Sequence, residues 1–234
     1  MKEESSMPRI ILGAGHEGRT SGATGAPGEQ SFNIDICNKV ADELKIRGFE
    51  VRRINADPLP EEISGDWDLA LFCHYDADIY GTGGFFVDTP LNDGAAEKSQ
   101  KIAYLLRQEY GGTTGIVYHP ERRNVNTWDY YMWKRLSWNT PCVLIECGVG
   151  MHVPDDHTIL HFQREKVVEG IVKGICASFG VPYDLTTTSP LSTPITVPDA
   201  CSEVKDTLQK IHDIIWGKGW VWVRMNKLKE LLPK

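Results

Sequence analysis

No stretch of this sequence approaches the ~20 consecutive apolar residues that a membrane span requires, so no membrane partner is expected. Positive charge is scarce overall. The formal net charge of -7 argues against a nucleic-acid partner. None of the six cysteines, Cys37, Cys73, Cys142, Cys147, Cys176 and Cys201, forms a Cys-x-x-Cys pair. That excludes the usual spacing of a zinc ribbon or a dithiol redox site. Cys73, Cys142 and Cys147 stand in or beside apolar runs and read as buried, reduced thiols. The segment Met1 to Pro8 lacks the basic and apolar regions of a signal peptide. The expectation is therefore synthesis in a cytoplasm without a readable export signal. No internal repeat is visible.

What is present is a chain of 234 residues, enough for one sizeable domain and a small appendage. Its charge is uneven. Residues 201–234 carry seven Lys/Arg and four Asp/Glu, a balance of +3, which leaves -10 for the remainder. The expected division is a catalytic domain over 1–184, a Thr/Ser/Pro-rich linker over 185–200, and a small basic, Trp-containing element over 201–234. With a helical pattern from Val204 to Trp216, that last element suits docking or self-association, or attraction to an anionic polymer, better than an independent fold.

Within 1–184, short apolar runs alternate with helical periodicity. Arg9–Leu12, Leu69–Cys73 and Cys142–Cys147 read as buried strands, and Phe49–Ile54 reads as a further strand. Ile116–Tyr118 reads as a short fifth. Helices are expected over Glu29–Arg47, stopped by Gly48, over Ala95–Tyr110, and over Thr158–Phe179, stopped by Gly180. Residues 75–93 read as a loop. The class is α/β: a mixed, largely parallel central sheet with helices on both faces, plus a small C-terminal helical element. Ligands of such sheets bind beyond the strand ends.

Gly13-Ala14-Gly15-His16-Glu17-Gly18 satisfies GxGxxG after a strand. A dinucleotide site, however, needs a helix to begin there, with its N-terminus facing the pyrophosphate. The next ten residues, RTSGATGAPG, cannot begin one, and the second strand lacks the acidic residue that would hold a ribose. The nucleotide reading is rejected.

A different constellation carries chemistry. His16 follows the first strand, Glu29 opens the first helix thirteen residues later, and His74 follows the third strand. Glu146 sits in the strand CVLIEC, where a carboxylate is costly unless it has a cation, a donor or a catalytic task. Two His and one Glu leave the fourth tetrahedral position open, the pattern of catalytic zinc. A second carboxylate then serves as the base.

Three segments in order carry a family resemblance: ILGAGHEGRTSGATGAPGEQSFNIDICNKVADELKIRGFEVRRI, LALFCHYDAD and TPCVLIECGVGMHVPDD. Together they resemble the amidase-3 family of N-acetylmuramoyl-L-alanine amidases, from residue 9 to about 180. Glu17, Phe72-Cys73 and Val149 depart from the residues common in that family. The resemblance implies one zinc ion held by His16, Glu29 and His74, with Glu146 as the catalytic carboxylate. It also implies peptidoglycan as substrate, cut between N-acetylmuramic acid and L-Ala. With no export signal and a basic last piece, the arrangement suits a phage endolysin. A zinc peptidase on another amide keeps the same site with a different pocket. A non-catalytic wall-binding module has no use for a buried Glu beside an open metal site.

Arg122, Arg123, Asn124 and Asn126 read first as a solvated loop, second as a grip for peptide carboxylates. The aromatics from Trp128 to Trp138 read as core packing before groove floor. His119, His152, His157 and His161 have no metal-demanding spacing, although His152 and His157 are near enough to Glu146 to line the site.

Overall fold

A computed structural model describes residues 7–19, 25–55, 63–77, 82–91, 94–150 and 153–183. The linker over 185–200, the basic element over 201–234 and His152 lie outside these described residues.

The strands are β1 (Arg9–Ala14), β2 (Glu50–Asn55), β3 (Leu69–Asp76), β4 (Phe86–Asp88) and β5 (Cys142–Val149). They form one sheet in the order β2-β1-β3-β5-β4. β2, β1, β3 and β5 run parallel, and β4 is an antiparallel edge. This is the mixed, largely parallel α/β architecture expected. Near-continuous burial along β1, β3 and β5 is what a strand covered on both faces requires.

Alternate side chains go to opposite faces. Ile10, Leu12, Leu71, Cys73, Val143 and Ile145 share one apolar cluster with α1 (Glu29–Ile46), α2 (Ala96–Thr114) and α5 (Arg164–Phe179). Ile11, Ala70, Phe72, Cys142 and Leu144 face the other way. Among the described residues that second face is packed by short pieces: Ile63, Trp67, Tyr130, Met132, Trp133 and Leu136. Ile63 and Trp67 precede β3, and the other four come from a segment holding the single-turn α3 (Val125–Trp128) and a 3₁₀ turn, Tyr131–Arg135.

Four details differ from the sequence reading. β4 lies inside the stretch read as a loop, and three residues are too short to show a period. The stretch Ile116–Tyr118 forms only an isolated bridge, Phe85 with Tyr118. The expected helix Thr158–Phe179 is two: α4 (Pro154–Phe162) and α5, separated by Gln163 at φ -130. Arg164 stabilises the break, donating from Nε to Leu160 O and pairing with Asp35 of α1 at 2.9 Å. Helix α2 also continues through Gly111 and Gly112 to Thr114, because Tyr110 stays buried against the neighbouring helix and strand.

Helices α2 and α5 approach through glycine. A Cβ on Gly174 would stand 2.6 Å from Leu106 Cα, and one on Gly170 would stand 3.0 Å from Tyr110 Cα. Backbone cannot yield as a flexible side-chain tip can. Alanine at Gly174 gains about 1 kcal/mol of helix propensity, but it must push the two helices apart. Gly174→Ala is expected to destabilise the chain by a net ~1–3 kcal/mol, measured by urea denaturation. An unchanged or raised midpoint would show that the helix contact is not close.

Candidate metal centre

The parallel register brings the ends of β1, β3 and β5 to one edge of the sheet. Ala14 pairs with Cys73, and His74 pairs with Glu146. His16 stands two residues beyond β1 in a left-handed conformation, φ 61. This is unusual for a residue with a side chain. The turn is held from the helix side: Gln30 Nε2 donates to His16 O at 2.5 Å. Gly15 N donates to Cys73 O at 2.8 Å, tying the loop to β3. A Cβ on Gly15 would fall 2.2 Å from the His74 ring. The glycine therefore provides the space that ring occupies, and among the described residues no helix begins before Glu29. The rejected nucleotide fingerprint is thus a packing surface for a histidine.

Glu29 is only 4% exposed and does far more than favour a helix dipole. Its Oε2 accepts from Ala26 N at 2.8 Å. Its Oε1 lies 3.0 Å from His74 Nδ1 and 3.3 Å from His16 Nε2. The two imidazole rings stand edge to face, with centroids 5.1 Å apart. Candidate donor atoms of His16, Glu29 and His74 all lie within 4.8 Å of one another. Among the described residues this is the one group of three or more His, Cys, Asp or Glu with metal-site spacing.

Glu146 is adjacent through its pairing with His74. Part of the residue is exposed, but its Oε2 is buried and has no hydrogen-bond partner. Burial first, then the negative charges of Glu29 and Asp76, push its carboxyl well above the usual range, against the pull of Arg122. Glu29 goes the other way. Burial alone would raise it, but hydrogen bonds and charge from His16 and His74 outweigh that and hold it at about 2.

The donor set fits a cation. Tetrahedral bonds of about 2.0–2.1 Å space neighbouring donors roughly 3.3 Å apart. The two histidine–Glu29 separations fall in that region. A cation would also offset the repulsion between Glu29 and Glu146.

Other residues fall differently from the sequence reading. Arg122 is not a solvated loop residue. It is 3% exposed, donates to Thr82 O at 2.8 Å and pairs with Asp76 Oδ2 at 2.7 Å. Arg123 is half-buried and engages Asp88 through Nε at 2.8 Å and through Nη2. Strand-end aspartates drew both arginines in, a pairing over 46 and 35 residues that local sequence does not display. His157 stacks on His161, centroids 4.3 Å apart, and His119 pairs with Glu121. Neither pair joins the three-residue group. Two participants were missed. Asn33 is fully buried one turn after Glu29 and donates to Glu29 Oε1 and Gly15 O. A polar residue on the apolar face of a helix was the available signal. Tyr130, grouped with core aromatics, places its hydroxyl 3.3 Å from His74 Nε2. Of the family departures, Glu17 pairs with Arg53 at 2.8 Å, and Phe72 packs edge-on against Tyr130 and Trp133.

Comparison with known proteins gives a family match over residues 10–177, to the model described as N-acetylmuramoyl-L-alanine amidase. Among solved structures, the chain is similar to the N-acetylmuramoyl-L-alanine amidase from Clostridium difficile 630. That match has a TM-score of 0.55 at 17% identity, covering 76% of this chain and 100% of that one. The amidase Ami1 from Mycobacterium smegmatis gives a TM-score of 0.54 at 21% identity, covering 75% and 98%. The catalytic domain of the CD27L endolysin targeting Clostridium difficile gives 0.51 at 18% identity, covering 73% and 97%. At these identities the structural likeness is one of fold. No curated protein matches the sequence.

The environment of Glu146 sets a pH-dependent stability. Folding raises the pKa of this carboxyl, so its charged form is disfavoured in the folded chain. The penalty is absent below the unfolded value near 4.3 and grows as pH rises above it. Without metal, Glu146→Gln is expected to be more stable than the parent at pH 7.5 by ~1–3 kcal/mol. The gain should vanish towards pH 4. Melting curves in a chelator across this range check it, and a gain that grows on acidification would contradict it.

Proposed function

The chain belongs to the N-acetylmuramoyl-L-alanine amidase family, and from that premise we propose that it is a zinc-dependent enzyme cutting peptidoglycan between the lactyl group of N-acetylmuramic acid and L-Ala. The observation that carries this reading is the meeting of His16, Glu29 and His74 beside a buried, unpartnered Glu146 oxygen. Two imidazoles and one carboxylate are the protein ligands of an open, catalytic zinc site.

In this proposal His16 Nε2, Glu29 Oε1 and His74 Nδ1 hold the zinc. Bound there, zinc supplies Lewis-acid polarisation of the amide carbonyl and acidifies water. Glu146 moves the proton. Its Oε2 has no competing partner, so it takes a proton from the attacking water. The same proton passes to the nitrogen of L-Ala as the carbon–nitrogen bond breaks, leaving a free amine and the lactyl carboxylic acid, which then ionises to solvent. Ala26 and Asn33 keep Glu29 aimed by donating to its two oxygens. Arg122 neutralises Asp76 beside the strand ends, which favours the ionised Glu146 that a base requires.

We extend the proposal to bacteriolysis. A cell-wall amidase fold shared with an endolysin catalytic domain supports that role, as does the basic balance of residues 201–234, suited to anionic wall polymers.

Glu146→Gln should bind about one zinc per chain, like the parent, yet lose at least about 10²-fold in turnover. Metal analysis, with mass spectrometry of digested muropeptides, reads both quantities. Products cut at an amide other than the muramoyl–L-Ala bond would move the enzyme to a different substrate. Full activity in the variant would remove Glu146 from the mechanism.

A further inference from the structure

Tyr130 precedes the 3₁₀ turn Tyr131–Arg135 and is 8% exposed. Its ring is pinned edge-on between Phe72 and Trp133, at centroid distances of 5.5 and 5.4 Å. Trp133 is itself anchored, donating from Nε1 to Thr127 O at 3.1 Å. The phenol therefore reaches into the centre from a rigid wall. Its hydroxyl lies 3.3 Å from His74 Nε2, and the two rings are nearly perpendicular at 89°. The other nitrogen of the same imidazole, Nδ1, is the one 3.0 Å from Glu29 Oε1.

We propose that Tyr130 is a positioning residue of the metal centre: its hydroxyl holds Nε2 of His74 so that Nδ1 stays aimed at Glu29 in either tautomer. This inference rests on the metal-centre reading above. A neutral imidazole has one N–H and one lone pair. With no cation present, the proton belongs on Nδ1, facing the Glu29 carboxylate, and Nε2 must accept. With a cation present, Nδ1 must offer its lone pair, so the proton moves to Nε2, which must donate. A hydroxyl meets both demands because it can donate or accept. When it accepts, its own proton can turn towards Tyr131, whose ring packs against its own at a centroid distance of 4.8 Å. A carbonyl could only accept and an ammonium could only donate. Outer partners of metal-bound histidines fix ring orientation in this way, and their loss weakens metal binding.

The test compares the full chain with Tyr130→Phe, which keeps the ring and its packing. Zinc affinity is measured by competition with a chromogenic chelator, and cobalt-loaded protein supplies a visible spectrum. Expected are a roughly 10-fold to 100-fold weaker zinc affinity, shifted cobalt bands, and an unchanged melting temperature for the metal-free form. Unchanged affinity in the variant overturns the proposal, as does unchanged affinity with a fall in kcat, which would put the hydroxyl on the reacting atoms. A metal-free melting temperature that falls in step with affinity makes Tyr130 a packing residue and overturns it too. A parent chain that binds no zinc sinks the metal centre and this inference with it. A parent that binds zinc while the variant binds it equally sinks this inference alone.

Discussion

Glu29 Oε1 is the atom on which the rest of the site depends. It sits at the first turn of α1 yet meets His16 from the end of β1 and His74 from β3. A buried carboxylate without such partners would cost several kcal/mol or neutralise itself. Here the two histidines hold it ionised, at about 2. The consequence reaches back into the fold. The first loop must turn sharply enough to return His16 to the helix start, which it does through a left-handed residue and a bond from Gln30. The loop must also be bare of side chains where His74 packs, and this is why Gly15 stands where it does.

The parallel sheet supplies the other half of the arrangement. Because β1, β3 and β5 lie side by side and run the same way, their ends deliver His16, His74 and Glu146 to one edge. The two carboxylates placed there experience opposite environments. Glu29 is surrounded by donors and stays charged. Glu146 faces burial and two like charges and is driven towards its neutral form. Pairs of acids pushed apart in this way divide their duties. One suits holding a cation, and the other suits carrying a proton.

Much of this was legible in the sequence because the physics was local. A Glu inside CVLIEC violates the apolar pattern of its own strand and announces itself. The alternation of buried strands and helices gave the class, and the inability of RTSGATGAPG to begin a helix after GxGxxG removed the nucleotide alternative. What was hidden depends on contacts between distant segments. Arg122 and Arg123 look like surface residues until Asp76 and Asp88 are brought beside them. Strand β4 is too short to have a period, and the break at Gln163 follows from where Arg164 finds Asp35. Tyr130 carries no local mark among its aromatic neighbours. Only the sheet face on which it packs reveals that its hydroxyl points at His74.

The aromatic segment therefore has two jobs that pull in the same direction. Packing Phe72, Tyr130 and Trp133 edge to edge covers a sheet face that the three long helices do not share. The same packing fixes a hydroxyl against His74. A more loosely held phenol would lose rotational freedom each time it met the imidazole, and the bond would be correspondingly weak. A ring already immobilised by the core gives up little more. Placing a polar tip on an apolar wall thus lets hydrophobic burial set the orientation of a residue at the chemical centre. Phe72, which departs from the residues usual before the second histidine, takes part in this packing. Phe72 is one of the two rings that hold Tyr130 in place.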